Sequence, residues 1–153
     1  MTDITIRKGL PKDNLAISKF QEKMALETEN MILASDIVIK GVISVLESED
    51  KGFYLVALKN EVIIGSLLIT YEWSDWRNGW FYWIQSVYVD ASFRRQGVYK
   101  TMYEKILEIC NTSTNCCGIR LYVEQENTVA INTYKNLGME KTNYHMYETA
   151  INK

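Results

Sequence analysis

Residues Phe81 to Leu107 read FYWIQSVYVDASFRRQGVYKTMYEKIL. From Phe81 to Val89 both alternating faces are aromatic or aliphatic, which predicts a central strand covered on both sides. From Gly97 the period changes. Val98, Met102, Ile106 and Ile109 recur at steps of four and three, so one helix face is apolar, and Lys100, Glu104, Lys105 and Glu108 lie mostly off it. Arg94-Arg95-Gln96-Gly97 joins the two. The first turn of a helix offers backbone N–H groups without intrahelical acceptors, at the positive end of its dipole. A glycine lets a phosphate approach the backbone closely. Two arginines add donors and long-range attraction. The junction therefore suits a phosphate or diphosphate, although the same residues also read as a helix start with solvated arginines.

Upstream, Ile4 and Ile6 alternate with polar residues and predict a short strand. Pro11 and Asp13 mark a helix start, and Leu15, Ile17, Phe20 and Met24 keep helical spacing to about Leu26. A polar break, Glu27-Thr28-Glu29-Asn30, precedes a second helix capped by Ser35 or Asp36 and carrying Ile37, Val38, Val42, Val45 and Leu46. Two strands follow, Phe53 to Leu58 and Val62 to Ile69, around Lys59-Asn60-Glu61, and the second continues to about Trp73. Asn78-Gly79 then signals a hairpin into the strand at Phe81.

Downstream, a polar loop at Asn111 to Asn115 leads to a strand at Ile119 to Val123. A helical crossover makes that strand parallel to its predecessor. Asn127 opens a helix with Ala130, Ile131, Tyr134 and Leu137 on one face, ended by Gly138. Met139 and the Tyr144 to Thr149 segment are expected as final strands. Together these elements predict one α+β domain over residues 1–153, a mixed and mostly antiparallel sheet flanked by helices.

A chain of 153 residues can bury roughly 70% of its unfolded surface. Its hydrophobic fraction of 47% and charged fraction of 24% are those of a globular domain. A net charge of −2 argues against a general nucleic-acid binder. No apolar run approaches the roughly 20 residues that span a bilayer, and MTDITIRKGL lacks a signal-peptide core. The expectation is a cytoplasmic protein with neither nucleic acid nor membrane as partner. Cys110, Cys116 and Cys117 are odd in number and clustered, so reduced thiols are expected. A single histidine, His145, and no CxxC pair argue against a metal.

Arg94-x-x-Gly97 after Val87-Tyr88-Val89 resembles the coenzyme A loop of the GNAT superfamily of N-acyltransferases. A second block agrees: Leu121-Tyr122-Val123, then Asn127-x-x-Ala130-x-x-x-Tyr134-x-x-x-Gly138-Met139 resembles the superfamily's closing strand-helix-strand unit. The order and spacing extend the resemblance over nearly the whole chain. It implies acetyl-CoA as acyl-donor cosubstrate, held in a wedge between the Val89-side strand and the Leu121 strand. It assigns pyrophosphate binding to the backbone from Arg95 through Gln96, Gly97 and Val98 to Tyr99, with Arg94, Arg95 and Lys100 as the basic flank. The backbone of Gln85, Val87 and Val89, with Tyr88 between them, would pair with the pantetheine arm. Asn127 matches the asparagine that contacts the coenzyme and equally suits a helix N-cap. Tyr134 matches the tyrosine near the thioester sulfur and also sits at core spacing. One departure is Tyr99, where the family has Gly or Ala. Its N–H remains usable, and its ring is expected on the helix flank beside Tyr103.

The implied activity is N-acetylation of a primary amine of a small molecule or peptide, by direct transfer in a ternary complex. A non-catalytic CoA-binding domain is the alternative. An attacking amine must lose a proton, and Glu27, Glu29, Glu72 and Asp75 are the carboxylates with suitable chemistry. In the superfamily the segment between the first two helices often lines the acceptor pocket, which points to Glu27 and Glu29. Trp73, Trp76, Trp80 and Trp83 read as hairpin packing or as part of a ligand cage, and the aromatic hairpins also suit a homodimer.

Overall fold

The computed structural model describes residues 3–153. The chain packs as two compact units, one reaching Leu121 and one from Tyr122 to Lys153.

The larger unit is a five-stranded sheet in sequential order, β1 (Ile4–Lys8), β2 (Phe53–Lys59), β3 (Val62–Ser74), β4 (Gly79–Val89) and β5 (Cys116–Arg120). The first three pairings are antiparallel and the last is parallel. Hairpins join β2 to β4 because their turns accept left-handed backbone. Asn60 and Glu61 have φ of 50° and 64°, the pattern of a two-residue I′ turn, and Asn78 has φ of 49°. The last connection needs a crossover, which is α3 (Val98–Thr112).

Helices cover both faces. On one, α1 (Asn14–Glu29) and α2 (Ser35–Leu46) enclose Ile17, Val42, Tyr54, Val56 and Leu58, with Leu68 packed against them. On the other, Val98 of α3 lies against Gly65, and Met102 and Ile106 are fully buried. The helix α1 runs to Glu29, past the polar break expected after Leu26. Asn30, at φ 50°, ends it with a left-handed residue, a conformation that asparagine tolerates. At the other end Asp13 is buried and takes a bidentate ion pair from Arg7 at 2.7 and 3.0 Å, as well as the Leu10 N–H.

Two further expectations are corrected in this unit. The parallel strand is Cys116–Arg120 rather than Ile119 to Val123. It begins as soon as the chain leaves α3, because Trp80 N–H bonds Asn115 O and Trp80 pairs with Cys116. The thiols are not all reduced. Cys110 and Cys116 form a disulfide with Cα atoms 5.2 Å apart, and Cys117 is free. Adjacent cysteines rarely bridge, but α3's last turn folds back into β5 and brings a different pair together.

The smaller unit contains α4 (Thr128–Asn136). Gly138, at φ 92°, closes it with a Schellman arrangement: Met139 N–H bonds Tyr134 O and Gly138 N–H bonds Lys135 O. The final strands expected at Met139 and Tyr144 to Thr149 do not form. Among the described residues, 139–153 contain no strand, and 140–153 are exposed. The alternation of Tyr144 and Met146 is strand-like, but alternation needs a ladder to become a strand.

Candidate active site

The strand β4 carries an irregularity that periodicity did not show. Gln85 pairs with Leu68 and Tyr88 with Ser66, so Ser86 and Val87 together oppose Leu67. This is a β-bulge, and Ser86 takes φ of 52°. The bulge resets the alternation of side chains, since a shift of one residue turns a strand over. Gln85 and Tyr88 therefore share the α1 face. There Gln85 donates to Thr70 Oγ1, and the Tyr88 ring meets Phe20 with centroids 5.0 Å apart. Gln85, Val87 and Val89 do not form one unbroken alternating set. Pairing of β4 with β5 runs only from Trp80 to Trp83. Beyond Trp83 the β4 edge continues to Val89 without β5 alongside, because β5 ends at Arg120, the partner of Trp83.

The loop after β4 is built from short hydrogen bonds. Asp90 caps a 3-10 turn over Ala91–Phe93 by accepting Ser92 N–H at 3.0 Å, and Asp90 N–H bonds Ile64 O at 2.8 Å. The sign of φ then alternates: −68° at Arg94, 62° at Arg95, negative at Gln96 and 79° at Gly97. The left-handed residues at Arg95 and Gly97 lead the chain into α3, whose first-turn N–H groups have no intrahelical acceptors. Gly97 is the N-cap of α3, and a Cβ placed on it would meet no atom within 4 Å. Open space thus lies over the glycine at the helix N-terminus. The Tyr99 ring stands on the flank beside Tyr103, with centroids 6.3 Å apart.

The three basic residues of the loop differ. Arg95 and Lys100 are exposed, and among the described residues neither enters an ion pair. Arg94 turns back toward α1. Its Nε donates to Val89 O at 2.8 Å, its Nη2 donates to Glu27 Oε2 at 2.8 Å, and its guanidinium lies over the Tyr88 ring at 5.2 Å. The Tyr88 hydroxyl donates to Glu27 Oε1 at 3.1 Å. Both Glu27 oxygens are therefore engaged. The hydrogen bond from Arg94 and then that from Tyr88 outweigh burial and hold its pKa below the ordinary carboxylate value. A carboxylate so held is a weak proton acceptor. Burial first, then the Glu27 contact, pushes the Tyr88 phenol up.

Glu72 is also engaged. Its Oε1 accepts Trp83 Nε1–H at 2.9 Å and Arg120 Nη1 at 3.0 Å, and the Arg120 guanidinium lies 3.6 Å above the Phe81 ring. Trp73 and Trp80 pack edge to face, whereas Trp76 is exposed at the hairpin tip. Glu29 and Asp75 are exposed. In the smaller unit Asn127 caps α4, its Oδ1 accepting Ala130 N–H at 3.1 Å. Burial raises the Tyr134 phenol above its ordinary value, so it is protonated at neutral pH. Among the described residues no group of His, Cys, Asp and Glu could hold a metal.

The model of the acetyltransferase (GNAT) family matches residues 18–139. The chain belongs to that family, whose members are acyl-CoA-dependent acyltransferases. A structure described as a possible acetyltransferase from Clostridium difficile 630 is 43% identical, with a TM-score of 0.93 over 99% of this chain and 100% of its own. The enzyme AAC(6')-Iy, bound to the bisubstrate analog CoA-S-monomethyl-acetylneamine, is 16% identical, with a TM-score of 0.77 over 98% and 99%. An aminoglycoside acetyltransferase, meta-AAC0020, from an uncultured soil metagenomic sample, in complex with sisomicin, is 18% identical, with a TM-score of 0.76 over 97% of each chain. The latter two likenesses are of fold. No curated protein matches the chain.

Sequence reasoning missed two features beside the Arg94–Gly97 loop. The bulge at Ser86 leaves no local signature, since serine is unremarkable in a strand. The Glu27–Arg94 pair joins residues 67 apart in sequence, which spacing cannot bring together.

Proposed function

We propose that this GNAT protein is an N-acetyltransferase that moves the acetyl group of acetyl-CoA to a primary amine of a small molecule or peptide. Transfer is direct, with both substrates bound together, and residues 1–153 act as one catalytic domain. The observation that carries this reading is the alternating-φ loop at the N-terminus of α3, with open space over Gly97. The fold shared with amine-acetylating enzymes supports the choice of acceptor class.

Acetyl-CoA supplies an acetyl group already activated as a thioester. The backbone N–H groups from Arg95 to Tyr99 hold its pyrophosphate, assisted by the exposed Arg95 and Lys100 side chains. The β4 edge from Gln85 to Val89 aligns the pantetheine arm as an added strand would. Bulged backbone leaves a residue outside the ladder, and an N–H freed there can donate to the thioester carbonyl as charge develops. Asn127 contacts the coenzyme while capping α4. Tyr134, matched to the family's tyrosine and protonated at neutral pH, donates to the departing thiolate.

The test is release of CoA thiol from acetyl-CoA across a panel of primary amines, with product masses measured. Thiol release matched by N-acetylated product supports the proposal. Tight CoA binding with no acetylated product from any amine would instead make the protein a CoA-binding domain without catalysis.

A further inference from the structure

We propose that Arg94 is a positioning residue rather than a phosphate ligand: with Glu27 and Tyr88 it forms a strut that holds the α3 loop in its anion-binding shape. This rests on the functional reading above and deepens it.

The strut has four attachments. Arg94 reaches the β4 backbone at Val89 O, the end of α1 at Glu27 and the ring of Tyr88, and Tyr88 closes the circuit by donating to Glu27. Both partners of Arg94 sit on regular elements. Glu27 is in the last turn of α1, which extends to Glu29. Tyr88 faces α1 only because the bulge at Ser86 resets the strand.

The loop needs such support. Arg95 is not a glycine, yet it holds φ of 62°. A left-handed non-glycine residue persists where its surroundings over-determine it. The residue fastened down is Arg94, immediately before it. Arg94 uses Nε and Nη2 at once. A lysine has one nitrogen and cannot reproduce that fork.

Through-space charge and the strut predict opposite signs for one substitution. Glu27 is an anion paired to the loop that receives an anionic ligand. If only charge mattered, Glu27→Gln would release Arg94 for the phosphates and tighten CoA binding. If the strut matters, the same change loosens the loop and weakens binding.

The experiment measures CoA binding by calorimetry at fixed salt, and acetyl-CoA KM and kcat with the best amine. Wild type, Glu27→Gln, Arg94→Lys, Tyr88→Phe and the Glu27→Gln/Arg94→Lys double variant are compared. We expect Glu27→Gln to weaken CoA binding about two- to fivefold, because both side chains of the pair are 43% exposed and an exposed ion pair contributes roughly 1 kcal/mol or less. Arg94→Lys should do the same, and the double variant should be no worse than either single one, because they break one unit. KM for acetyl-CoA should rise with kcat little changed. Tyr88→Phe keeps the ring and should weaken binding a few-fold, which retains a test if another variant does not fold. Unchanged or tighter binding in folded Glu27→Gln overturns the strut. A fall in kcat at constant KM also overturns it and returns Glu27 to the role of base. Wild-type protein that binds no CoA overturns the functional reading itself.

Discussion

Substituting alanine at Gly97 isolates the backbone requirement of the anion loop. The position has φ of 79°, and an added Cβ would meet no atom within 4 Å. Steric clash with neighbours is therefore absent, and the cost is conformational. A left-handed alanine is disfavoured by about 1–2 kcal/mol. Alanine also stiffens the unfolded chain, which offsets about 0.4–1 kcal/mol. The net loss is about 1 kcal/mol, and it must appear wherever the left-handed loop is obligatory. In the CoA-bound form the phosphate contacts require it. In the free form the loop can relax to negative φ, and part of the loss moves into affinity. For a chain of this size 1 kcal/mol corresponds to about 2–4 °C in Tm and about fivefold in Kd. Scanning calorimetry with saturating CoA should show the Tm falling by that amount. The free protein should lose less, with calorimetric Kd weakened to match. Gly97→Asn should lie close to wild type, since asparagine tolerates this conformation. A Gly97→Ala protein stabilised in both forms, with unchanged Kd, would falsify the reasoning. It would mean that this glycine is an ordinary weak point at a helix end.

Three further outcomes are expected. Tyr134→Phe keeps the ring and removes the hydroxyl, so kcat should fall about ten- to a thousandfold with CoA affinity little changed; wild-type turnover, where chemistry is rate-limiting, would remove the assigned role. Thiol titration of unreduced, unfolded protein should find one free cysteine, Cys117, rising to three on reduction. Opening the Cys110–Cys116 bridge, a sequence separation of 6, should cost about 2 kcal/mol of chain entropy and about 4–8 °C in Tm; three reactive thiols before reduction would contradict the bridge. For Asp13, burial pushes the pKa up, but the Arg7 hydrogen bonds and the Leu10 N–H outweigh it and leave the pKa lowered. Its stabilisation is thus full above the unfolded value of about 3.9 and is lost as pH falls through the lower folded value. Asp13→Asn should cost about 2–3 kcal/mol at pH 7, less than for a fully buried pair because Arg7 is 30% exposed. Urea midpoints should show that deficit shrinking at pH 3, and an equal deficit at both pH values would refute the linkage.

Much of this protein was determined by its sequence alone, because the decisive signals were local. The strand at Phe81 to Val89, the amphipathic face of α3, Gly97 at its N-cap and Gly138 beyond α4 all follow from periodicity and backbone chemistry within a few residues. So does the ring of Tyr99 beside Tyr103, four residues on along one helix. The strand after α3 was misplaced by about three residues because Cys116 and Cys117 carry little strand signal, while its start is set by Trp80 pairing across from it. The strands expected near the C-terminus failed for the converse reason: alternation at Tyr144 and Met146 is necessary for a strand but does not supply a ladder. The disulfide was missed because bridging depends on the path from α3 to β5. Tertiary structure alone decided the character of the site's charges. Arg94 and Arg95 are adjacent and chemically identical in sequence, yet Arg94 is paired to Glu27 of α1 and Arg95 enters no ion pair among the described residues. The cause is a single bulge at Ser86, which turns Tyr88 to the α1 face, where it meets the Glu27 to which Arg94 is bound. A one-residue insertion in a ladder inverts every side chain beyond it, and no local pattern of residues records where that insertion falls.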